Sequence, residues 1–196
     1  MAEKSYSRES DFAEETTSCR KVFSGSLLQL HVHEILTPSG QTARREVVSH
    51  PGGVVIVPIL NSAGDSEIVL VKQYRKPAEE ALWELPAGTL EKGERPLECA
   101  KRELAEETGF GKGEWIEKGS LYTSPGYSDE LLYSFIARNL HRLDQETLPE
   151  APPEENIQWR SFPLEKVYKM AGQGEIRDGK TLSGLAYLLL EKATPS

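Results

Sequence analysis

The chain has 196 residues, of which 38% are hydrophobic and 28% charged, with a formal net charge of -8. A chain of this length buries a real core without staples, and the composition is that of an ordinary globular domain. The negative balance excludes the basic footprint of non-specific nucleic-acid binding, but not a phosphorylated ligand, since a few local cations and a bound metal override the global sign.

Taken in order, residues 1–18 are polar and acidic, unlike a signal or transit peptide, and are expected to form a loose tail. Residues 22–36 alternate apolar and polar positions with an interruption at Gly25. Pro38-Ser39-Gly40 reads as a turn, and 43–49 as a returning strand. Residues 19–50 therefore form a small antiparallel unit, and 51–196 the main domain. Residues 53–60 and 67–73 are rich in β-branched side chains and flank the polar turn 61–65, the pattern of a hairpin. A helix follows Gly93-Glu94-Arg95, with Pro96 suited to its first turn and Gly109 to its C-terminal cap. Strands are predicted over 115–122, 131–138 and 157–162, a Pro/Glu-rich loop over 149–155, and helices over 164–172 and 182–192. Interleaved strands and helices without repeats give an α/β or α+β domain around a mixed sheet.

Cys19 and Cys99 are too few and too far apart for a disulfide framework, which points to a reduced, cytoplasmic setting. No apolar run approaches the length of a membrane span.

The chemistry lies on the helix from Pro96. At 100° per residue, Leu97, Ala100, Leu104 and Thr108 share one arc, a core-facing stripe. Glu103, Glu106 and Glu107 occupy an adjoining face at i, i+3 and i+4, and so are surface neighbours. Two unit charges about 6 Å apart at an effective dielectric near 20 repel by roughly 3 kcal/mol. A divalent, oxygen-seeking cation offsets that repulsion, and Mg²⁺ is the usual ion where carboxylates share it with phosphates. Arg102 offsets part of it too. An acidic helix face is by itself commonly just solvated surface. Here the surroundings decide, because Gly88 lies six residues before Glu94, and Glu94 eight before the run Arg102-Glu103-Leu104-Ala105-Glu106-Glu107-Thr108-Gly109-Phe110.

Residues 88–110 thus resemble the Nudix box, G-x5-E-x7-R-E-U-x-E-E-x-G-U with U apolar, and every fixed position is filled. The resemblance implies a mixed sheet sandwiched between helices. It implies metal ligation by Glu103 and Glu107, with Glu106 a further ligand or a partner of the attacking water, and the carbonyl of Ala87 as an added ligand. Arg102 and Glu94 would pair and orient the carboxylates. Gly88 and Gly109 would supply backbone freedom at the two loop ends. Mg²⁺ is the implied cofactor, with Mn²⁺ as a substitute. The chemistry suits a phosphoanhydride, a dense anion that needs charge neutralisation and an activated, aligned water.

Outside the box, Pro125 lies sixteen residues after Gly109, within Ser124-Pro125-Gly126-Tyr127-Ser128-Asp129-Glu130. With Gln73-Tyr74-Arg75 and Glu84-Leu85-Pro86-Ala87-Gly88, this resembles the ADP-ribose pyrophosphatases. That likeness implies diphosphate contact by Arg75, a place near the terminal ribose for Glu130, and substrate contact by the Pro125-Gly126 turn. It also implies an arginine from the returning strand, Arg44 or Arg45, of which Arg45 is preferred. A carboxylate from a late loop is expected as metal ligand or base, at Glu155 or its neighbour Glu154. The N-terminal strands would join two subunits as a homodimer, with Phe23, Leu28 and Leu30 as interface or adenine-wall candidates. His31 and His33 read as ordinary strand surface, and Trp83 as packing.

The resemblance implies hydrolysis of ADP-ribose to AMP and ribose 5-phosphate. The alternatives are a Nudix enzyme for another nucleotide sugar or an oxidised nucleotide, and a nucleotide sensor without turnover. The retention of all three box carboxylates counts against a sensor.

Overall fold

The structure, a computed structural model, describes residues 12–62, 65–144 and 156–193. It divides into two units, the first made of residues 1–50 with 124–130. Here β1 (Glu15–Ser24), β2 (Gln29–Leu36) and β3 (Thr42–Ser49) form an antiparallel sheet in the order β1-β2-β3. The alternating stretch 22–36 is thus two strands, because the Gly25 amide donates to the Leu28 carbonyl at 2.8 Å and closes a turn. β1 also starts earlier than the alternation suggests. Glu15 pairs with Leu36, inside the stretch expected as tail, and Thr16, Thr17, Val22 and Phe23 give β1 its strand propensity. Among the described residues of this unit, Ile35 alone is buried. The segment 124–130 is tied in by backbone: Val48 donates to the Tyr127 carbonyl at 2.7 Å, and Asp129 donates back to Val48 at 3.2 Å.

The second unit, 51–123 with 131–196, is built on β4 (Gly53–Ser62) and β5 (Asp65–Arg75), the two β-branched runs. There follow β6 (Glu80–Glu84), β7 (Ala87–Thr89), α1 (Pro96–Thr108), β8 (Phe110–Gly111), β9 (Glu114–Tyr122), β10 (Leu131–Arg138), β11 (His141–Arg142), β12 (Gln158–Pro163), α2 (Leu164–Gly172) and α3 (Gly179–Ala193). The main sheet runs β12-β5-β4-β10-β9, with β6 on β5 and β7 on β4. β10 pairs parallel to β4 while the other pairs are antiparallel, so the sheet is mixed.

Strand periodicity explains the two cores. Val54 and Ile56 pack with Cys99, Ala100 and Leu104 of α1, whereas Val55, Val57 and Ile59 pack with Val167 and Met170 of α2 and Leu185 and Leu188 of α3. Helices therefore cover both faces, the sandwich that the Nudix resemblance implied, around the mixed sheet expected from the element order. Each such fully buried aliphatic side chain contributes about 1.5–3 kcal/mol. The stripe of α1 is broader than the wheel suggested, since Cys99 and Ala105 are buried as well and Leu97 only partly. α3 begins three residues before the predicted 182, because Asp178 caps it through its side chain. Among the described residues, no helix is long and apolar enough to cross a membrane.

Candidate active site

α1 positions the acidic face. Pro96 stands in its first turn, where a missing N–H costs nothing. Gly109 ends it in the left-handed region at φ 72°, its amide donating to Ala105 at 2.9 Å. A tight turn precedes the helix: the Glu94 amide donates to the Glu91 carbonyl at 3.0 Å, and the Glu94 carboxylate accepts from the Glu91 amide at 3.0 Å. That turn aims Glu94 back at α1. Arg102 grips it with two parallel bonds, Nε to Oε1 and Nη2 to Oε2, both 3.0 Å.

The same guanidinium serves two more carboxylates. Nη1 donates to Glu103 Oε1 at 2.8 Å and to Glu106 Oε2 at 3.2 Å. The hydrogen bond from Arg102 holds the Glu94 carboxyl well below the usual range, at about 2, and reciprocally raises Arg102. Beneath them Cys99 lies against Arg102 and the Thr89 carbonyl, each 3.5 Å from its sulfur, and burial pushes its thiol up to about 12. Both cysteines are free thiols.

Gly88 makes the cluster possible. A Cβ at this position would sit 1.8 Å from the carboxyl carbon of Glu103 and 2.0 Å from its Oε1. Only a glycine lets the carboxylate lie against the β7 backbone. Beside it, the Ala87 amide donates to Glu107 Oε2 at 3.3 Å. The box thus brings Ala87, Gly88, Glu94, Arg102, Glu103, Glu106 and Glu107 together. Among the described residues, no three His, Cys, Asp or Glu side chains are placed to hold a metal ion as they stand. Arg102 engages Glu103 and Glu106, while Glu107 turns to the Ala87 amide.

Arg75, at the end of β5, forms a second cluster. Its Nε donates to Glu84 Oε1 at 2.9 Å and its Nη2 to Oε2 at 2.7 Å. Glu84 is fully buried and Arg75 is 40% exposed. Burial alone would raise the Glu84 carboxyl, but the Arg75 hydrogen bonds and the Lys180 ammonium bring it below its ordinary value. Arg75 is raised, chiefly by its hydrogen bond to Glu84, with smaller contributions from Asp178 and Glu107. Lys180 completes the cluster, with Nζ on Glu84 Oε2 and 3.1 Å from Asp178 Oδ1. Sequence reading missed Glu84 and Lys180 as site residues. Their pairing spans 96 positions and leaves no local signature.

The remaining candidates lie in the first unit. Arg45 pairs with Glu14, Nε to Oε2 at 3.0 Å, and Arg44 with Glu34 at 2.9 Å. Pro125 and Gly126 form the exposed tip of a turn closed by bonds from the Tyr127 and Ser128 amides to the Ser124 carbonyl. Glu130 Oε1 lies 3.6 Å from His50 Nδ1, and the His50 amide donates to Asp129 Oδ1 at 2.8 Å. His31 and His33 are neighbours on β2, their rings 6.2 Å apart. Trp83 stacks edge-on with Phe162 at 5.1 Å, a packing role. Glu154 and Glu155 lie outside the described residues.

Comparison with known proteins agrees with this geometry. Residues 49–184 match the family model described as "NUDIX domain". The chain is 37% identical over 180 residues to an ADP-ribose pyrophosphatase of Bacillus subtilis (strain 168), covering 92% of this chain and 95% of the relative. It is 38% identical over 184 residues to the methanol dehydrogenase activator of Bacillus methanolicus, covering 93% and 96%. Among solved structures, an "ADP compounds hydrolase" superposes with a TM-score of 0.78 at 20% identity, covering 92% of this chain and 95% of that one, a likeness of fold.

Proposed function

The chain belongs to the Nudix family, whose members are divalent-metal-dependent hydrolases, and from that premise we propose that it cleaves the pyrophosphate bond of ADP-ribose, releasing AMP and ribose 5-phosphate. The observation that carries the chemistry is the Glu103 carboxylate lying where a Gly88 Cβ would be, beside Glu106, Glu107 and the Ala87 backbone. The substrate reading is supported by the relative of Bacillus subtilis, named an ADP-ribose pyrophosphatase.

The donor set fits a hard cation. Glu103, Glu106, Glu107 and the Ala87 carbonyl offer only oxygen, which suits Mg²⁺, with Mn²⁺ as substitute. Glu155 is the further ligand or base that the resemblance implies, with Glu154 the alternative base. A metal held by these oxygens would supply charge neutralisation for the diphosphate and a more acidic water as nucleophile. The chain's own residues do the rest. Arg102 fixes the carboxylates through Glu94, Glu103 and Glu106. Glu106 or the late-loop glutamate accepts the proton of the attacking water. Arg75 draws the diphosphate, and Arg45, Pro125, Gly126 and Glu130 take the remainder of the substrate.

The enzyme acts as a cytoplasmic homodimer through its N-terminal strands. In support, the first unit buries only Ile35 among its described residues yet exposes Val22, Phe23, Leu27, Leu28 and Leu36. A three-stranded sheet needs its apolar face covered to be stable. Sedimentation as a single 21.8 kDa species would count against the dimer.

The deciding experiment is a panel of nucleoside diphosphate compounds incubated with Mg²⁺ and scored for monophosphate products. AMP from ADP-ribose, above other nucleotide sugars and oxidised nucleotides, is expected. Preference for another compound would reassign the substrate, and no product from any would favour a sensor.

A further inference from the structure

The first turn of α3 carries a lysine where a helix disfavours positive charge. Lys180 is drawn there by Glu84, and the same carboxylate holds Arg75 by two bonds. One buried acid thus joins two cations, one from β5 and one from α3. Their exposures differ: the Lys180 side chain is 14% accessible and Arg75 40%, so Arg75 is the one that meets an arriving anion.

The turn also fastens the link between β6 and β7. The Asp178 carboxylate accepts from the Thr181 amide at 2.9 Å and its hydroxyl at 2.6 Å, and that hydroxyl accepts from the Leu85 amide at 2.8 Å. Two residues on, the Ala87 amide reaches Glu107.

Charge decides what Lys180 does. Alone with Glu84, Arg75 would be a neutral pair with little attraction for a diphosphate. Lys180 offsets Glu84, so the guanidinium charge is left less neutralised and its remaining N–H donors face a ligand. Asp178 offsets part of this, since its Oδ1 lies 3.1 Å from Lys180 Nζ, but its Oδ2 caps α3 and is balanced in part by the helix N-terminus.

We infer that Lys180 is a positioning residue for nucleoside-diphosphate binding, acting through Glu84 to keep the Arg75 guanidinium fixed and its charge from being neutralised. The inference rests on the reading of Arg75 as the diphosphate-binding arginine.

The test is a double-mutant cycle of Lys180→Met with Arg75→Ala, reading ADP affinity by calorimetry in Mg²⁺ buffer, with melting temperature measured alongside. Lys180→Met should weaken ADP binding about tenfold in the wild-type background and very little in Arg75→Ala. Lys180→Arg should restore binding. Should Lys180→Met not fold, Lys180→Gln, which keeps a donor for Glu84 without the charge, completes the cycle. A lowered melting temperature with unchanged affinity would make Lys180 structural only and overturn the inference. Equal weakening in both backgrounds would overturn it too, since Lys180 would then act without Arg75. ADP binding indifferent to Arg75→Ala would remove its basis. Arg75-dependent ADP binding without AMP release from ADP-ribose would break the substrate assignment and leave the inference standing.

Discussion

Two ion clusters in the same unit have inverse make-up. Around Arg102 one cation serves three carboxylates, Glu94 from the turn before α1 and Glu103 and Glu106 on its partly exposed face. Around Glu84 one fully buried carboxylate serves two cations, Arg75 and Lys180. The first arrangement carries an excess of hard oxygen donors and suits a cation. The second fixes positive charge at a partly exposed site and suits an anion. Attack on a phosphoanhydride needs both: a place for the metal and a place for the diphosphate.

The contrast is broken most severely on the anionic side. Glu107→Gln removes the proposed metal ligand while keeping shape, and AMP release from ADP-ribose should fall on the order of a thousandfold with the melting temperature nearly unchanged. A rate within a few-fold of wild type would mean that Glu107 does not hold the metal.

Gly88→Ala sharpens the same side more gently. The added methyl collides with the far end of the Glu103 side chain, 1.8 Å away, rather than with fixed backbone. The side chain gives way and the fold survives, so a loss of about 10- to 100-fold in activity and Mn²⁺ affinity is expected. Circular dichroism should match wild type. Unaltered Mn²⁺ binding would show that the resting place of Glu103 is immaterial.

The two clusters also differ in how far the sequence disclosed them. The Arg102 cluster is compressed into residues 88–107, where spacing places Glu103 and Glu106 on one helix face with Glu107 and the Nudix resemblance adds the Arg102–Glu94 pair, so it is legible in the sequence. The hairpin β4–β5 and α2 were equally plain, because β-branched runs and amphipathic spacing are local signals. The Glu84 cluster was not legible. Glu84 and Lys180 are brought together by the packing of α3 against the sheet, and nothing near either residue announces it. The short β6, β7, β8 and β11 were missed for a related reason: two to five residues carry no period. Arg45 and Glu130 were named by resemblance, and their observed partners, Glu14 and His50, follow no pattern in the sequence.

The smallest effect tests how the anionic cluster is held. Glu94 sits outside the acidic helix face yet holds Arg102 by two bonds, and its carboxyl is depressed to about 2 from 4.5. A depressed carboxyl stabilises the fold fully above its ordinary value, and this contribution is lost as pH falls from about 4.5 toward 2. Glu94→Gln should therefore melt below wild type at neutral pH. Loss of a charged hydrogen bond costs about 1.5–3 kcal/mol, which in a chain of this size lowers the melting temperature by several degrees. Because wild-type Glu94 is progressively protonated in acid, the gap between the two proteins should narrow as pH is lowered through that window. A gap independent of pH would place the stabilisation in packing or hydrogen-bond geometry rather than in the Glu94 charge, and Arg102 would then owe its position to Glu103 and Glu106.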